Sequence, residues 1–347
     1  MDWSEVMAES ILVLTHADET GSALTKASLE TVTAGKQLAA RLGASLAIGI
    51  VAVDAKAAAS SIAAAGACLL GVSGEAFAQS RYASDAAACE ALCRAAQATI
   101  VLAPGSSRFT RIMAGVAHRA AGCVDTHITS IVGDAGIEVS RWFYRQRIEA
   151  VITRSARPWF LLLEAGTNAP FASDTGEVHL ESVTVELPVL RTTVTGMRSP
   201  AQDEETIRPE AKMLFVAGAG WTKKQPDGHL HATEACNLIL NFLHKSGASL
   251  GSSKSLVDQG GERQPVLPFL THMNQVGQTG STPRHAKGLS TCCHGEEPHV
   301  VGWRFIGERR AISLDPNCGW ARGKADVVYV ADAFKVIARV NELLKTD

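Results

Sequence analysis

Short aliphatic and β-branched runs alternate with alanine-rich stretches of helical period along the first third of the chain. Residues 11–14 read as a strand, and residues 26–42 carry Leu29, Val32, Thr33, Lys36 and Leu38 in mixed helical spacing before Gly43, where a C-terminal cap belongs. The chain returns to strand at 45–53 and repeats the cycle as helix 57–65, strand 68–72, helix 85–96 and strand 99–103. Strand and helix in steady succession are the pattern of βα units on a parallel sheet. After Pro104-Gly105-Ser106-Ser107 the spacing predicts a helix over 111–121. Four strands follow, at 128–132, 137–143, 150–153 and 159–164, with no helix between them, which predicts an antiparallel extension of the sheet.

Residues 196–210 turn polar, hold two prolines and lose any apolar period, as a linker does. A strand at 212–217 then runs into Gly218-Ala219-Gly220, and an amphipathic helix over 232–245 ends before Gly247. A length of 347 residues also exceeds what one hydrophobic core usually serves. The expected class is α/β with two Rossmann-like domains, parallel sheets flanked by helices: an N-terminal domain at 1–195, a linker at 196–210 and a C-terminal domain at 211–347.

Charge narrows the partners. With 33 Lys and Arg against 35 Asp and Glu, and aromatic residues at 5%, the surface has neither the basic stripe nor the stacking platforms that nucleic acid requires. The apolar runs are strand-sized, short of the roughly 20 residues that cross a bilayer, so no membrane span is expected. Met1-Asp2-Trp3-Ser4-Glu5 lacks a signal pattern, and Cys68, Cys89, Cys93, Cys123 and Cys236 sit in apolar patterns as reduced core thiols do. A cytoplasmic protein is expected.

Three segments could carry chemistry. Gly218-Ala219-Gly220 after a strand resembles the opening of a dinucleotide turn, but Lys223 stands where the third glycine belongs, and a plain strand-to-helix turn reads equally well. The loop Gln275-Val276-Gly277-Gln278-Thr279-Gly280-Ser281-Thr282 offers backbone N–H groups and hydroxyls to an anionic or heteroaromatic ligand. Thr291-Cys292-Cys293-His294-Gly295-Glu296-Glu297-Pro298-His299 concentrates thiols, imidazoles and carboxylates. Adjacent cysteines do not easily share one tetrahedral ion and no C-x-x-C pair exists elsewhere, so a loop lining a cofactor is preferred to a metal or a cysteine nucleophile. No Ser-His-Asp arrangement or complete dinucleotide fingerprint marks a self-sufficient catalyst.

From residue 212 onward the chain resembles the FAD domain of the electron-transfer flavoprotein α subunit, the family that includes the FixB proteins of nitrogen fixation. The resemblance rests on Gln275-Val276-Gly277-Gln278-Thr279-Gly280, on Ser253-Lys254 followed by Val257-Asp258-Gln259-Gly260, on Ala311-Ile312-Ser313-Leu314-Asp315-Pro316, and on Val330-Ala331-Asp332 before the last helix. The N-terminal half is similar through residues 24–34 and 141–150. The resemblance implies a C-terminal FAD-binding domain and an N-terminal domain docked on an electron-transfer flavoprotein β subunit. Electrons would pass from a flavoprotein dehydrogenase or demethylase to a quinone-linked or iron–sulfur acceptor. It implies cofactor contacts from Ala219, Ser253, Lys254, Gln275, Val276, Gly277, Gln278, Thr279, His294, Gly295, Glu296, Glu297, Pro298, His299, Ser313 and Asp332. Thr279 would hydrogen-bond flavin N5, while Lys254 and His299 would place positive charge beside the ring, tuning its potential. No residue is expected to be catalytic.

The departures also cluster there. The family's Gly-Arg-Gly is Gly218-Ala219-Gly220, its ring-side arginine is Lys254 and its asparagine in Ala-Ile-Asn is Ser313. Its Ser-Gly-Ala-x-Gln-His becomes His294 to His299, bringing Glu296 and Glu297 toward a pyrophosphate unless cations such as Arg284, Lys287 or Arg304 meet them. These changes carry an alternative: a diverged subunit that has lost FAD and serves as a scaffold, or binds another nucleotide, in a larger redox complex.

Overall fold

The computed structural model describes residues 8–18, 20–132, 136–143, 148–172, 177–196, 207–208, 211–258, 267–276, 285–291 and 306–344. The chain divides into two units, Met1–Met197 and Arg198–Asp347.

The first unit runs β1 (Ser10–His16), α1 (Lys26–Leu42), β2 (Ser45–Ala52), α2 (Ala55–Ala58), β3 (Cys68–Ser73), α3 (Tyr82–Ala95), β4 (Ile100–Pro104) and α4 (Ser107–Arg119). It continues with β5 (Cys123–Val132), β6 (Glu138–Phe143), β7 (Ile148–Thr153), β8 (Trp159–Leu163) and β9 (Leu180–Ser182). These strands form one sheet in the order β7-β6-β5-β8-β4-β1-β2-β3-β9. The β5-β6 and β6-β7 pairs are antiparallel and the other pairs parallel. The extension expected over 128–164 is therefore antiparallel only as far as β7. β8 turns back into the sheet between β4 and β5, parallel to both, and its five residues are all buried.

Caps explain where the helices begin and end. Thr25 accepts from Ser28 N at 3.2 Å to start α1, and Gly43 closes it in the left-handed conformation at φ 59°. α3 starts three residues before the predicted 85, because the Asp85 carboxylate reaches back to Arg81 N at 3.1 Å and stands in for a side-chain cap at Arg81 itself. α4 starts at Ser107, ahead of the predicted 111, behind the Ser106 cap. The helix expected over 57–65 is α2 capped by Asp54, followed by a 3-10 helix at Ala59–Ala65.

Side chains of β1 alternate between two cores. Ile11 and Val13 join Val32 and Leu38 of α1, while Leu12 and Leu14 join Leu92 of α3 and Phe109 and Val116 of α4. Each such burial contributes about 1.5–3 kcal/mol. With helices on both faces the strand reads as one unbroken apolar run. Gly35 lets α1 lie close on β1, since a Cβ there would stand 2.2 Å from Val13 Cγ2. Of the five thiols expected in the core, Cys89 and Cys93 are buried, Cys123 and Cys236 are only partly covered, and Cys68, which opens β3, is exposed.

A buried carboxylate ties the antiparallel extension to the parallel sheet. Asp125 on β5 is 2% exposed and accepts from Arg141 Nη1 at 3.0 Å, Arg154 Nη2 at 2.9 Å, Arg154 Nε and Trp159 Nε1 at 2.9 Å. Burial alone would push this carboxyl up. The hydrogen bonds from Arg154 and Trp159 and the charges of Arg154 and Arg141 outweigh it and hold the group below its ordinary value.

The second unit runs β10 (Met213–Ala217), α5 (Ala232–Ser246), β11 (Ser249–Ser252), α6 (Lys254–Asp258), β12 (Lys287–Thr291), β13 (Glu308–Ser313), α7 (Gly319–Lys324), β14 (Val327–Val330) and α8 (Ala333–Leu343). Its sheet is parallel throughout, in the order β11-β10-β12-β13-β14. α5 ends at Gly247 in the left-handed conformation, as the sequence predicts. α5 and α8 share a core with Phe215, Trp221, Ile239, Phe334 and Ile337. Two residues inside the expected linker pack into this unit: Ile207 is 8% exposed, and Arg208 donates its N–H to Ser249 Oγ at 2.7 Å.

Candidate functional site

In an open parallel sheet, ligands bind beyond the carboxyl ends of the strands, near the point where strand order reverses. The first sheet reverses between β1 and β4, and that point is filled. His16, last in β1, donates from Nδ1 to Ala17 O at 2.8 Å, accepts from Ser106 Oγ at Nε2 at 3.2 Å, and packs on Phe109 with ring centroids 5.3 Å apart. Burial pushes its imidazole below the ordinary value, with the Arg108 charge adding to this and the Ala17 hydrogen bond opposing it. Arg108 itself grips Asp85 through Nε at 3.0 Å and Nη2 at 2.6 Å and also donates to Phe77 O at 2.9 Å. These groups are committed to one another.

The second sheet reverses between β10 and β12. Trp221, 0% exposed, spans that point and donates its indole N–H to Thr291 Oγ1 at 2.8 Å, while Gly218 N bonds Thr291 O at 3.0 Å. Residues far apart in sequence gather along this edge. Ala219 follows β10, Ser253 and Lys254 follow β11, Gln275 bridges to Ser252, Val276 donates to Ser252 O at 3.0 Å, Ser313 ends β13, and Asp332 follows β14. Six of the sixteen residues implied by the resemblance are thus buried or capping groups at one sheet edge, and Lys254 is exposed beside them. Gly277, Gln278, Thr279 and the stretch His294, Gly295, Glu296, Glu297, Pro298 and His299 lie outside the described residues, as do Cys292 and Cys293.

Several of these side chains also serve the fold. Ser253 Oγ accepts from Leu256 N at 3.3 Å, Ser313 Oγ exchanges bonds with Asp315 at 3.2 Å, and Asp332 caps α8 by accepting from Phe334 N at 2.9 Å. Ala219 is 4% exposed and adds no charge.

Beside Asp332 a cleft of 340 Å³ opens between α8 and the turn before α5, with Gln225, Asp227, His231, Glu234, Phe334 and Lys335 on its walls. His231 bonds Asp227 Oδ2 through Nε2 at 2.7 Å and Glu234 Oε2 through Nδ1 at 3.0 Å. Only the imidazolium can donate to both carboxylates, and the bond to Asp227 is the main cause that holds its pKa above the ordinary value. Sequence reasoning missed this cluster, although Asp227, His231 and Glu234 fall within eight residues. Among the described residues no group of three or more His, Cys, Asp or Glu is placed to hold a metal ion. Among the same residues no helix is long and apolar enough to cross a membrane.

Comparison with known families decides the broad identity. The model of the electron transfer flavoprotein domain matches residues 13–188, just over half of the 347. The chain belongs to the electron transfer flavoprotein family. The match falls in the first unit, so membership rests on the nine-stranded sheet and its helices. The electron transfer flavoprotein subunit alpha of Thermoanaerobacterium thermosaccharolyticum is 28% identical over 156 residues, an overlap of 45% of this chain and 42% of that relative. The aligned part therefore spans less than half the length of this family member.

Proposed function

We propose that this chain is an α-type subunit of an electron transfer flavoprotein that holds FAD at the carboxyl edge of the five-stranded sheet and carries electrons rather than making or breaking bonds. The observation that carries the reading is the convergence of Ala219, Ser253, Gln275, Val276, Ser313 and Asp332, spread over more than a hundred residues, on one edge of one sheet. Family membership supports it.

The residues present fit such a cofactor in their polar character. Ser252 Oγ and Gln275 Nε2 are buried at this edge without hydrogen-bond partners among the described residues, as groups awaiting a ligand would be. Ser253, Lys254, Gln275, Val276, Ser313 and Asp332 would hold FAD, with Gly277, Gln278, Thr279 and residues 294–299 completing the pocket. Bound there, FAD supplies one- and two-electron redox chemistry. Lys254 contributes positive charge that favours a reduced, negatively charged ring. The Ser253 hydroxyl, accepting from Leu256 N, retains its own O–H to donate. Trp221 and Thr291, bonded to each other and buried, would back the cofactor and keep water from it.

In this reading the first unit docks on a β subunit, a flavoprotein dehydrogenase or demethylase delivers the electrons, and a quinone-linked or iron–sulfur acceptor takes them. A cytoplasmic setting belongs to the same proposal and is supported by free thiols at Cys89, Cys93 and Cys318. Co-purification with the β subunit should give a yellow complex that releases FAD on denaturation; a correctly assembled but colourless complex rules the reading out.

Ala219 favours a second reading, a subunit that has given up FAD, because it supplies no cation for a pyrophosphate. Ala219→Arg separates the two: flavin uptake only in the variant supports the scaffold, and uptake by both supports the carrier.

A further inference from the structure

Most hydroxyls at the carboxyl edge of the five-stranded sheet have partners within the fold. Thr291 Oγ1 donates to Val216 O at 3.1 Å and accepts from the Trp221 indole, Ser253 Oγ accepts from Leu256 N, and Ser313 Oγ bonds Asp315. Ser252, the last residue of β11, breaks the pattern. It is 0% exposed, and its Oγ has no hydrogen-bond partner among the described residues. Gln275, its partner in a parallel bridge, is 3% exposed and leaves Nε2 unpaired as well.

The backbone around this pair is satisfied. Val276 N donates to Ser252 O at 3.0 Å, Ser253 N to Ala217 O at 2.9 Å, and the Asn274 side chain to Leu250 O at 3.4 Å. The contact is close: a Cβ on Gly251 would stand 2.6 Å from Val276 Cγ2. A buried polar group left unpaired costs the fold its full desolvation, whereas alanine and methionine would fill these positions without that cost. Two such groups on residues paired at one backbone bridge call for a further participant.

We propose that Ser252 is a ligand-contacting residue which, with Gln275, forms a polar subsite for the flavin nucleotide. This rests on the reading of the edge as the FAD site and adds to it a residue that the resemblance does not supply. The Gln275 amide nitrogen donates, and the Ser252 hydroxyl donates or accepts. The group they receive is therefore an acceptor such as a ring carbonyl, a ring nitrogen or a sugar hydroxyl, and not a cation.

The test measures two quantities on the assembled protein, before and after flavin is stripped. In Ser252→Ala the flavin-free protein should melt at the same temperature as the wild type or higher, because an unpaired buried hydroxyl has gone. Titration with FAD should nonetheless show a dissociation constant raised about tenfold, the loss of one hydrogen bond. Gln275→Met should show the same split, and so keeps the inference testable if one variant folds poorly. Unchanged FAD affinity in both variants overturns the inference while leaving the FAD reading standing. So does a flavin-free melting temperature that falls in step with affinity, the mark of a purely structural serine. A wild-type protein that takes up no FAD overturns the reading of the edge and this inference with it.

Discussion

The two sheets answer the same topological problem in opposite ways. Each reverses its strand order beside its first strand, leaving a place at the carboxyl edge where a ligand could enter. In the nine-stranded sheet His16 and Ser106 bond each other there, backed by Phe109 and the Arg108–Asp85 pair. In the five-stranded sheet Trp221 and Thr291 close the reversal itself, but one strand away Ser252 and Gln275 keep polar atoms unpaired among the described residues, and beyond β14 a charged cleft stays open. Paired polar groups make a sheet edge rigid, and unpaired ones make it receptive. In the proposed reading the first edge serves the structure and the second is the one that would receive the cofactor.

The largest effect should come from breaking the paired chemistry of the first unit. Asp125→Ala leaves two guanidinium groups and an indole N–H facing a site without its carboxylate, and denaturant unfolding should show a loss of about 3–5 kcal/mol. FAD affinity of the folded fraction should not move. A loss below about 1 kcal/mol contradicts the assignment of this carboxylate as the tie between β5 and the extension.

Trp221→Phe should cost less, about 1–3 kcal/mol, through a smaller ring and a lost donor to Thr291, which still has Val216 O to bond. The loss should appear in the unfolding of the second unit, and FAD affinity should fall with it if Trp221 backs the proposed site.

Acid should discriminate the units further. The folded pKa of Asp125 lies below its unfolded value near 3.8, so its stabilisation is present above that value and lost as pH falls through the folded one. Asp125→Asn should flatten acid unfolding below about pH 4, measured by circular dichroism of the first unit.

The smallest effect belongs to His231. Its folded pKa lies above 6.5, so the clamp to Asp227 and Glu234 is fully present below that pH and is lost as pH rises through the folded value. His231→Gln should lower the melting temperature slightly at pH 6 and leave it unchanged at pH 9; equal shifts at both pH values would show that the imidazolium is not the clamp.

Elements whose causes are local were legible in the sequence. β1 showed as a four-residue apolar run because both its faces are covered, and α1 and α5 ended where Gly43 and Gly247 supply left-handed caps. What escaped depends on partners far along the chain. β8 resembles any short apolar strand until β4 and β5 receive it, β9 is three residues held by β3, and the early start of α3 turns on Asp85 reaching back to Arg81. The same holds for the site. Ser253, Gln275, Ser313 and Asp332, all in the proposed site, were visible through motifs, whereas Ser252 has no motif and is distinguished only by a hydroxyl without a partner among the described residues.

The central claim is that the flavin belongs to the edge of the five-stranded sheet. Its most direct test is the visible absorbance of the purified assembly carrying either His16→Phe at one edge or Gln275→Leu at the other. Flavin bands are expected in the wild type and in His16→Phe, and weaker bands in Gln275→Leu, whose FAD affinity should fall about tenfold. Absent bands in the wild type, or a loss that follows His16 instead of Gln275, would contradict it.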